Sequence, residues 1–138
     1  MLFRYSFFYI TLVKKEVSYA ADETISNTEF RGRIWINGKQ GIFLGYGRVE
    51  LLERIGECGS ITKAAKSMKM AYRRAWQLVD SMNRQSIRPL VVTATGGSGG
   101  GGAHLTEDGE KVIKLFRKFH ADFQNFLRRE KNLLKLRL

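Results

Sequence analysis

The sequence predicts a single α+β domain that is mostly helical, and three observations lead to this prediction. The chain has 138 residues, which suits one domain better than two. Three consecutive segments between residues 48 and 84 carry apolar side chains at helical spacing. Short β-branched runs interrupted by glycine lie on both sides of them and predict two hairpins. A long fourth helix is predicted to follow.

The first thirty residues are predicted to be a leader or extension outside the domain. Residues 1–13 read MLFRYSFFYITLV, an apolar stretch too short to span a bilayer and a poor match to a signal peptide. We expect an added strand, an added helix or a flexible leader, with export or a membrane anchor as the alternative. The folded domain is predicted to cover residues 31–130, followed by a basic tail at 131–138.

The first hairpin is predicted from residues 33–44. Residues 33–36 are β-branched and aromatic, and residues 42–44 make a return strand. Asn37 and Gly38 between them predict a type I′ turn, because both residue types tolerate positive φ angles.

The three helical segments are predicted at residues 48–57, 61–68 and 71–84. Gly59 ends the first helix, and Ser60 is placed to cap the second. A tight turn at Lys69 and Met70 separates the second helix from the third. Two helices joined by such a turn form a helix-turn-helix, whose second helix lies in the major groove of DNA.

The positive charge of the chain is concentrated in this part. The net charge is +11, and residues 61–90 hold seven Lys or Arg against one acidic residue, which gives +6. Clustered cations are what binding to a phosphate backbone requires. The plainer interpretation is an amphipathic helix with a solvated basic face. We predict contacts with double-stranded DNA from Lys63, Lys66, Lys69, Tyr72, Arg73, Arg74, Gln77 and Arg84.

A glycine-rich run, GGSGGGG, occupies residues 96–102 between two short predicted strands. It formally matches a dinucleotide-binding motif, but residues 103–105 separate it from the next helix, whereas that motif needs a helix directly after it. We predict the tip of a β-hairpin wing, with a flexible linker as the alternative. Glycine lets backbone N–H groups approach phosphate closely. The predicted contacts of the wing are Gly99, Gly100, Gly101, Gly102 and His104.

The last helix is predicted to begin after Thr106, which can cap it. Its large apolar residues follow the heptad-like spacing of a helix seam. Such a seam can pack inside one domain or against a second copy, and we favour a homodimer. The predicted dimerisation residues are Val112, Phe116, Phe119, Phe123 and Phe126.

Several classes of site are disfavoured by composition. The single cysteine, Cys58, excludes an intramolecular disulfide framework and a cysteine-cluster zinc site. His104 has no nucleophile motif or paired carboxylates beside it. We therefore expect no enzyme, no metal and no cofactor, in a reducing cytoplasm.

The segment from Gly47 to Asn83, GRVELLERIGECGSITKAAKSMKMAYRRAWQLVDSMN, resembles the DNA-binding domain of ModE-type molybdate-dependent regulators. The matching features include Gly59-Ser60-Ile61, Ala64-Ala65 and the run from Tyr72 to Trp76. The glycine run and the strand after Pro89 are similar to the wing of that family. The helix-turn-helix alone would also suit LysR-type regulators.

The resemblance implies a winged helix-turn-helix that dimerises through its last helix and binds palindromic promoter DNA as a transcriptional regulator. Three positions depart from the family pattern: Lys69 stands where glycine is usual, Ala71 where a capping serine is usual, and Ser98 where a basic residue is expected. Nothing in the chain, which ends at Leu138, can be assigned as a molybdate-binding (TOBE) domain, so we expect no molybdate sensor here. The alternative function is a membrane-associated or non-specific basic interaction protein.

Overall fold

The computed structural model describes residues 30–94 and 102–135, with the backbone alone for residues 131–135. The predicted leader and most of the glycine run lie outside the described residues. Four helices and two two-stranded antiparallel sheets make up the described part. In chain order the elements are β1 (Trp35–Gly38), β2 (Gly41–Gly45), α1 (Tyr46–Cys58), α2 (Ile61–Ser67), α3 (Tyr72–Gln85), β3 (Val91–Thr93), β4 (Ala103–Leu105) and α4 (Glu107–Lys135).

The first hairpin is present, but the predicted turn at Asn37 and Gly38 is wrong. Both residues belong to β1, and the chain turns at residues 39–40 before Gly41, whose φ is 96°. The turn lies against the end of α3, where Gln85 Oε1 accepts from the Gln40 N–H at 3.4 Å. A Cβ on Gly38 would lie 2.3 Å from that same Oε1. The observed turn therefore packs against α3, a tertiary contact that the turn preferences of Asn37 and Gly38 do not predict.

The junction of α1 and α2 forms as predicted. Gly59 has a left-handed φ of 62°, a conformation that glycine adopts without steric cost, and its N–H donates to the Ile55 carbonyl. Ser60 Oγ then accepts from the Lys63 N–H at 3.3 Å, capping α2. Two adjacent residues thus end one helix and begin the next.

The turn between α2 and α3 contains two of the three departures from the family pattern. Lys69 has a φ of 52°, left-handed for a residue with a Cβ, at a cost of about 1–2 kcal/mol. Ala71 precedes α3 without any side-chain cap, which forgoes about 1 kcal/mol. The Met70 N–H donates to the Ala65 carbonyl at 2.9 Å and helps to close the turn.

Helix α1 lies at the centre of the core. Four of its side chains are completely buried: Val49, Leu51, Leu52 and Ile55. The buried faces of the other helices pack around α1, and these carry Ile61, Ala64, Ala65, Ala75, Leu78, Val79, Met82 and Phe116. The small side chains at Ala64, Ala65 and Ala75 suit the close crossing of α2 and α3.

Helix α4 is fixed to α1 by an ion pair. Arg117 donates from Nε and Nη2 to the two carboxylate oxygens of Glu53, at 2.8 and 2.5 Å. Its guanidinium also lies 4.7 Å from the centre of the Tyr46 ring. The hydrogen bonds to Glu53, chiefly, raise the pKa of Arg117 above its usual range. A two-point contact of this kind fixes orientation as well as distance.

The base of the wing is joined to the end of α3 by one side chain. Asn83 Oδ1 accepts from the backbone N–H groups of Leu90 and Val91 at 2.8 and 3.2 Å. Asn83 Nδ2 donates to the Val91 carbonyl at 2.8 Å. Strand β3 is therefore held at a fixed place beside α3.

The start of α4 completes this junction. Thr106 caps α4 as predicted, with Oγ1 accepting from the Gly109 N–H at 3.1 Å. Gly109 is required for its size, since a Cβ there would lie 2.3 Å from the Leu90 carbonyl oxygen. Helix α4 continues through residues 131–135, which the sequence assigns to a separate tail.

The five predicted seam residues of α4 do not form one exposed face. Phe116 is completely buried in the core of its own chain, and Val112 packs against that core. Phe123 is half-buried beside the backbone of Gly32, where an added Cβ would lie 2.6 Å from Cζ of the ring. Phe119 and Phe126 are 48% and 47% exposed. The prediction of one five-residue dimerisation seam is therefore corrected: Phe116 is a core residue of one chain.

Candidate nucleic-acid interface

Helix α3 presents three of its predicted contact residues to solvent together. Its buried side chains, Ala75, Leu78, Val79 and Met82, face the core. Because successive residues turn by about 100° around a helix, the position of this buried stripe identifies the residues on the opposite, solvent-facing side. That outer face carries Arg73, Gln77 and Arg84, with Asp80 between them.

One flank of α3 borders the start of α1. Arg48 of α1 donates from Nη1 to Ser81 Oγ at 3.2 Å, which places its guanidinium along this flank. Arg74 lies on the same side of α3, two turns before Ser81. Arg74 is thus separated from the outer-face residues and lies beside a second arginine.

The other flank of α3 faces the wing, since Asn83 on that side bonds to the backbone of β3. Tyr72 and Trp76 share this flank, one turn apart, and are 53% and 48% exposed. Two large aromatic side chains thus extend the outer face of α3 toward the wing.

The predicted lysines lie on α2 and in the turn after it. Lys63 and Lys66 are exposed and stand three residues apart, on one side of α2. Lys69 is exposed in the turn that leads into α3. The lysines and the arginines of α3 together form a basic surface, which we call the α2–α3 basic face: Lys63, Lys66, Lys69, Arg73 and Arg74.

The α2–α3 basic face differs from the rest of the described surface in its lack of acidic partners. Elsewhere in the described part of the chain, several cations have a carboxylate within 4 Å, among them Arg54, Arg84, Arg88, Lys111, Arg117 and Lys118. Within residues 30–94 and 102–135, no such ion pair involves a member of the α2–α3 basic face. Among the described residues, the positive charge that is concentrated in the sequence is therefore not neutralised by acidic side chains.

Arg84 differs from the other predicted contacts. Its Nη2 lies 2.9 Å from Asp80 Oδ2, one turn earlier on the same face. The pair is exposed, so it is weak. Arg84 therefore has an internal partner to leave before it can bind a phosphate or a base.

The wing is described only at its base. His104 is exposed on β4 opposite Val92, and Gly102 is half-buried, with its carbonyl accepting from the Ala94 N–H at 2.9 Å. Gly99, Gly100 and Gly101 lie outside the described residues. The strands on either side of the glycine run pair as predicted.

Sequence reasoning did not assign a site role to Arg48, Trp76 or Ser81. Trp76 carried a signal that could have identified it, because a tryptophan one turn after Tyr72 lies off the apolar stripe of α3. Arg48 carried none. It lies 26 residues before Arg74, and only the packing of α1 on α3 brings the two together.

Comparison with known proteins finds similarity to bacterial regulators over part of the chain. Residues 47–110 match the bacterial regulatory helix-turn-helix proteins of the lysR family. The chain is 37% identical over 102 residues to the molybdenum transport protein ModE of Azotobacter vinelandii, covering 74% of this chain and 38% of that protein. It is 41% identical over 92 residues to the transcriptional regulator ModE of Haemophilus influenzae, covering 67% of this chain and 35% of that protein.

A third relative has a name that states its mode of action. The DNA-binding transcriptional dual regulator ModE of Escherichia coli K12 is 42% identical over 78 residues, covering 56% of this chain and 30% of that protein. The chain thus spans between 30% and 38% of the length of these three relatives. The matched residues include all of α1 except Tyr46, together with α2, α3 and both strands of the wing base. The chain therefore carries a LysR-type helix-turn-helix domain whose relatives are the ModE-type transcriptional regulators.

Proposed function

We propose that this protein is a transcriptional regulator that binds double-stranded promoter DNA by placing α3 in the major groove. The observation that carries the proposal is the α2–α3 basic face, whose cations have no acidic partner among the described residues. Neutralising DNA phosphates releases counterions, which supplies nearly all of the non-specific affinity and a large share of the specific affinity. The matched family and the names of the relatives support the same function.

The outer face of α3 is suited to contacting base edges, and the residues around it are suited to binding phosphates that position the protein on DNA. Arg73 and Gln77 point away from the core and carry the groups that bond guanine and adenine edges in the major groove. Lys63, Lys66 and Lys69 bind phosphates beside it. His104 is exposed at the wing base, and we expect it to contact an adjacent stretch of the DNA backbone.

The double variant Arg73→Ala/Arg74→Ala tests this proposal. We expect the logarithmic slope of affinity against salt to become shallower by about 0.9 if Arg74 alone binds a phosphate, and by about 1.8 if both arginines do. Preference for the sequence selected from a random pool should be reduced as well, if either arginine reads a base. The measurement is a titration of a selected duplex and a random duplex at several salt concentrations.

A control variant removes the same charge elsewhere. Arg54 on α1 is already paired with Glu50 and Glu57, and Lys114 lies on α4. Arg54→Ala/Lys114→Ala should retain the slope and the preference of the unmodified protein. Equal losses in the two double variants would reduce the interaction to net charge and would favour a non-specific basic protein. No binding by the unmodified protein at low salt would refute the proposal.

A membrane-associated role is the second candidate, and little in the described residues favours it. No described helix is both long enough and apolar enough to cross a bilayer. The apolar segment at residues 1–13, on which the prediction depends, lies outside the described residues. Binding to anionic vesicles in place of DNA would support this candidate.

We further propose that the protein acts as a homodimer through the exposed side of α4. Leu115, Phe119 and Phe126 lie on one side of the helix and are 47–49% exposed. A row of half-exposed apolar side chains of this size is typical of a protein interface. A dimer presents two copies of α3 to the two halves of a palindrome.

Phe119→Glu tests the dimer. We expect it to convert the dimer to a monomer, since it places a charge in the middle of the apolar row, with light scattering as the measurement. Lys114→Glu is the control, because Lys114 is exposed on a different side of α4 and should leave the dimer intact. An unchanged dimer in Phe119→Glu would show that the chains associate elsewhere.

A further inference from the structure

Arg48 occupies an unusual electrostatic position at the junction of α1 and α3. It is half-buried, and its guanidinium is held by the hydroxyl of Ser81 at 3.2 Å. The charge of Arg74, which has the same sign, acts on it. The first turn of α1 contains no acidic residue that would neutralise it. Within the described part of the chain, no ion pair to a carboxylate involves either arginine.

This arrangement carries a cost in the protein without a ligand. Burial, and secondly the charge of Arg74, lower the pKa of the Arg48 guanidinium. Arg54 on the same helix illustrates the usual arrangement, since it has Glu50 and Glu57 beside it. Two neighbouring guanidinium groups that have no carboxylate partner in the protein are typical of a site that binds an external anion.

We propose that Arg48 and Arg74 together bind one phosphate group of the DNA backbone at the edge of the groove that α3 enters. This proposal rests on the proposed function and adds a contact from α1 to it. Arg74 and Ser81 are two helical turns apart, about 10 Å along α3. Arg48 is held at the Ser81 end of that interval, and the charge of Arg74 on the same flank acts on it. A phosphate between them would neutralise both guanidinium groups.

The role of Ser81 follows from the same geometry. Its hydroxyl accepts from Nη1 of Arg48 and leaves the remaining N–H groups of the guanidinium available. Ser81 is therefore a positioning residue, and it fixes Arg48 on the flank of α3 before DNA arrives. Less side-chain freedom is then lost on binding.

The test compares Arg48→Gln with Arg54→Gln, two identical changes on one helix. Glutamine can still donate to Ser81 but carries no charge. We expect Arg48→Gln to weaken binding about tenfold on selected and random duplexes alike, and to lower the salt slope by about 0.9. Arg54→Gln should change neither quantity. Ser81→Ala should weaken binding less than Arg48→Gln does, with the slope retained.

A stability measurement separates this role from a structural one. If Arg48 serves mainly to bind an anion, Arg48→Gln in the absence of DNA should unfold at an equal or higher denaturant concentration than the unmodified protein. A purely structural arginine would give lower stability together with weaker binding. That result would overturn the proposal, as would a binding loss confined to particular base pairs.

Two further arms identify the source of the phosphate. In a series of duplexes, one phosphate at a time is replaced by a neutral methylphosphonate. At one position this replacement should weaken DNA binding by the unmodified protein but not by Arg48→Gln. Inorganic phosphate should not raise the thermal midpoint of the unmodified protein at millimolar concentration. The proposal is wrong if phosphate raises the thermal midpoint of the unmodified protein but not of Arg48→Gln, and the two proteins bind DNA with equal affinity. The site would then bind a free anion. Failure of the unmodified protein to bind DNA would instead refute the proposed function.

Discussion

Replacing Phe116 by Ala is expected to lower the free energy of unfolding by about 3–5 kcal/mol. Phe116 heads the group of large side chains that are fully buried, and it joins α4 to the core around α1. Its removal loses the transfer free energy of the ring and leaves a cavity that the surrounding helices fill only in part. The measurement is equilibrium unfolding in urea.

Phe119→Ala makes the matched comparison, because it is the same chemical change three residues later at a ring that is 48% exposed. We expect a loss of about 1 kcal/mol or less for the isolated chain. In a dimer, the effect of Phe119→Ala should also grow with protein concentration, whereas that of Phe116→Ala should be present at every concentration. Equal losses at the two positions would contradict the assignment of Phe116 to the core and Phe119 to the surface.

Asn83→Ala is expected to lower the free energy of unfolding by about 2–3 kcal/mol. The change removes three hydrogen bonds to the backbone of Leu90 and Val91 and leaves their partly buried N–H and carbonyl groups without partners. Because the same bonds hold β3 beside α3, DNA binding should weaken in conditions where the variant is still folded. The control is Asn125→Ala on the exposed side of α4, which should cost less than about 0.5 kcal/mol.

For Asn83→Asp, we expect the loss of stability to increase with pH. The introduced carboxyl keeps the acceptor but, when ionised, faces the Val91 carbonyl that Asn83 Nδ2 now reaches at 2.8 Å. The N–H groups of Leu90 and Val91 would lower its folded-state pKa, but the facing carbonyl and the C-terminal end of α3 would raise it. We expect the second effect to be larger, so that folding favours the protonated form. The deficit in stability relative to the unmodified protein should be smallest below the unfolded-state pKa, about 4, and should grow as the pH rises through the folded-state pKa. A deficit independent of pH would contradict the donor role of Asn83.

The helix boundaries and caps could be predicted from the sequence because the signals for them are local. The apolar spacing of α1, α2 and α3 was sufficient to place them within two residues of the observed ends. Ser60 and Thr106 cap the helices that follow them, as their positions predicted. Lys69 and Ala71 were recognised as unfavourable turn residues from the resemblance, and the turn shows both.

The hairpin turn was mispredicted because a tertiary contact competes with local preference. Asn37 and Gly38 are a favourable turn pair, yet the chain turns two residues later. There the hairpin meets Gln85 of α3, which accepts from the Gln40 N–H and donates to the Ile42 carbonyl, each at 3.4 Å. Such a contact is not encoded in the turn sequence.

The sequence alone determined that this chain has a helix-turn-helix with concentrated positive charge, because helical periodicity and charge are properties of short segments. Only the tertiary structure decided which side of each helix is free. Packing on α1 buries Phe116 and leaves Phe119 exposed, although both fit one apolar repeat. The same packing brings Arg48 beside Arg74, 26 residues away, because burial and long-range charge proximity depend on how helices cross rather than on the spacing within any one of them.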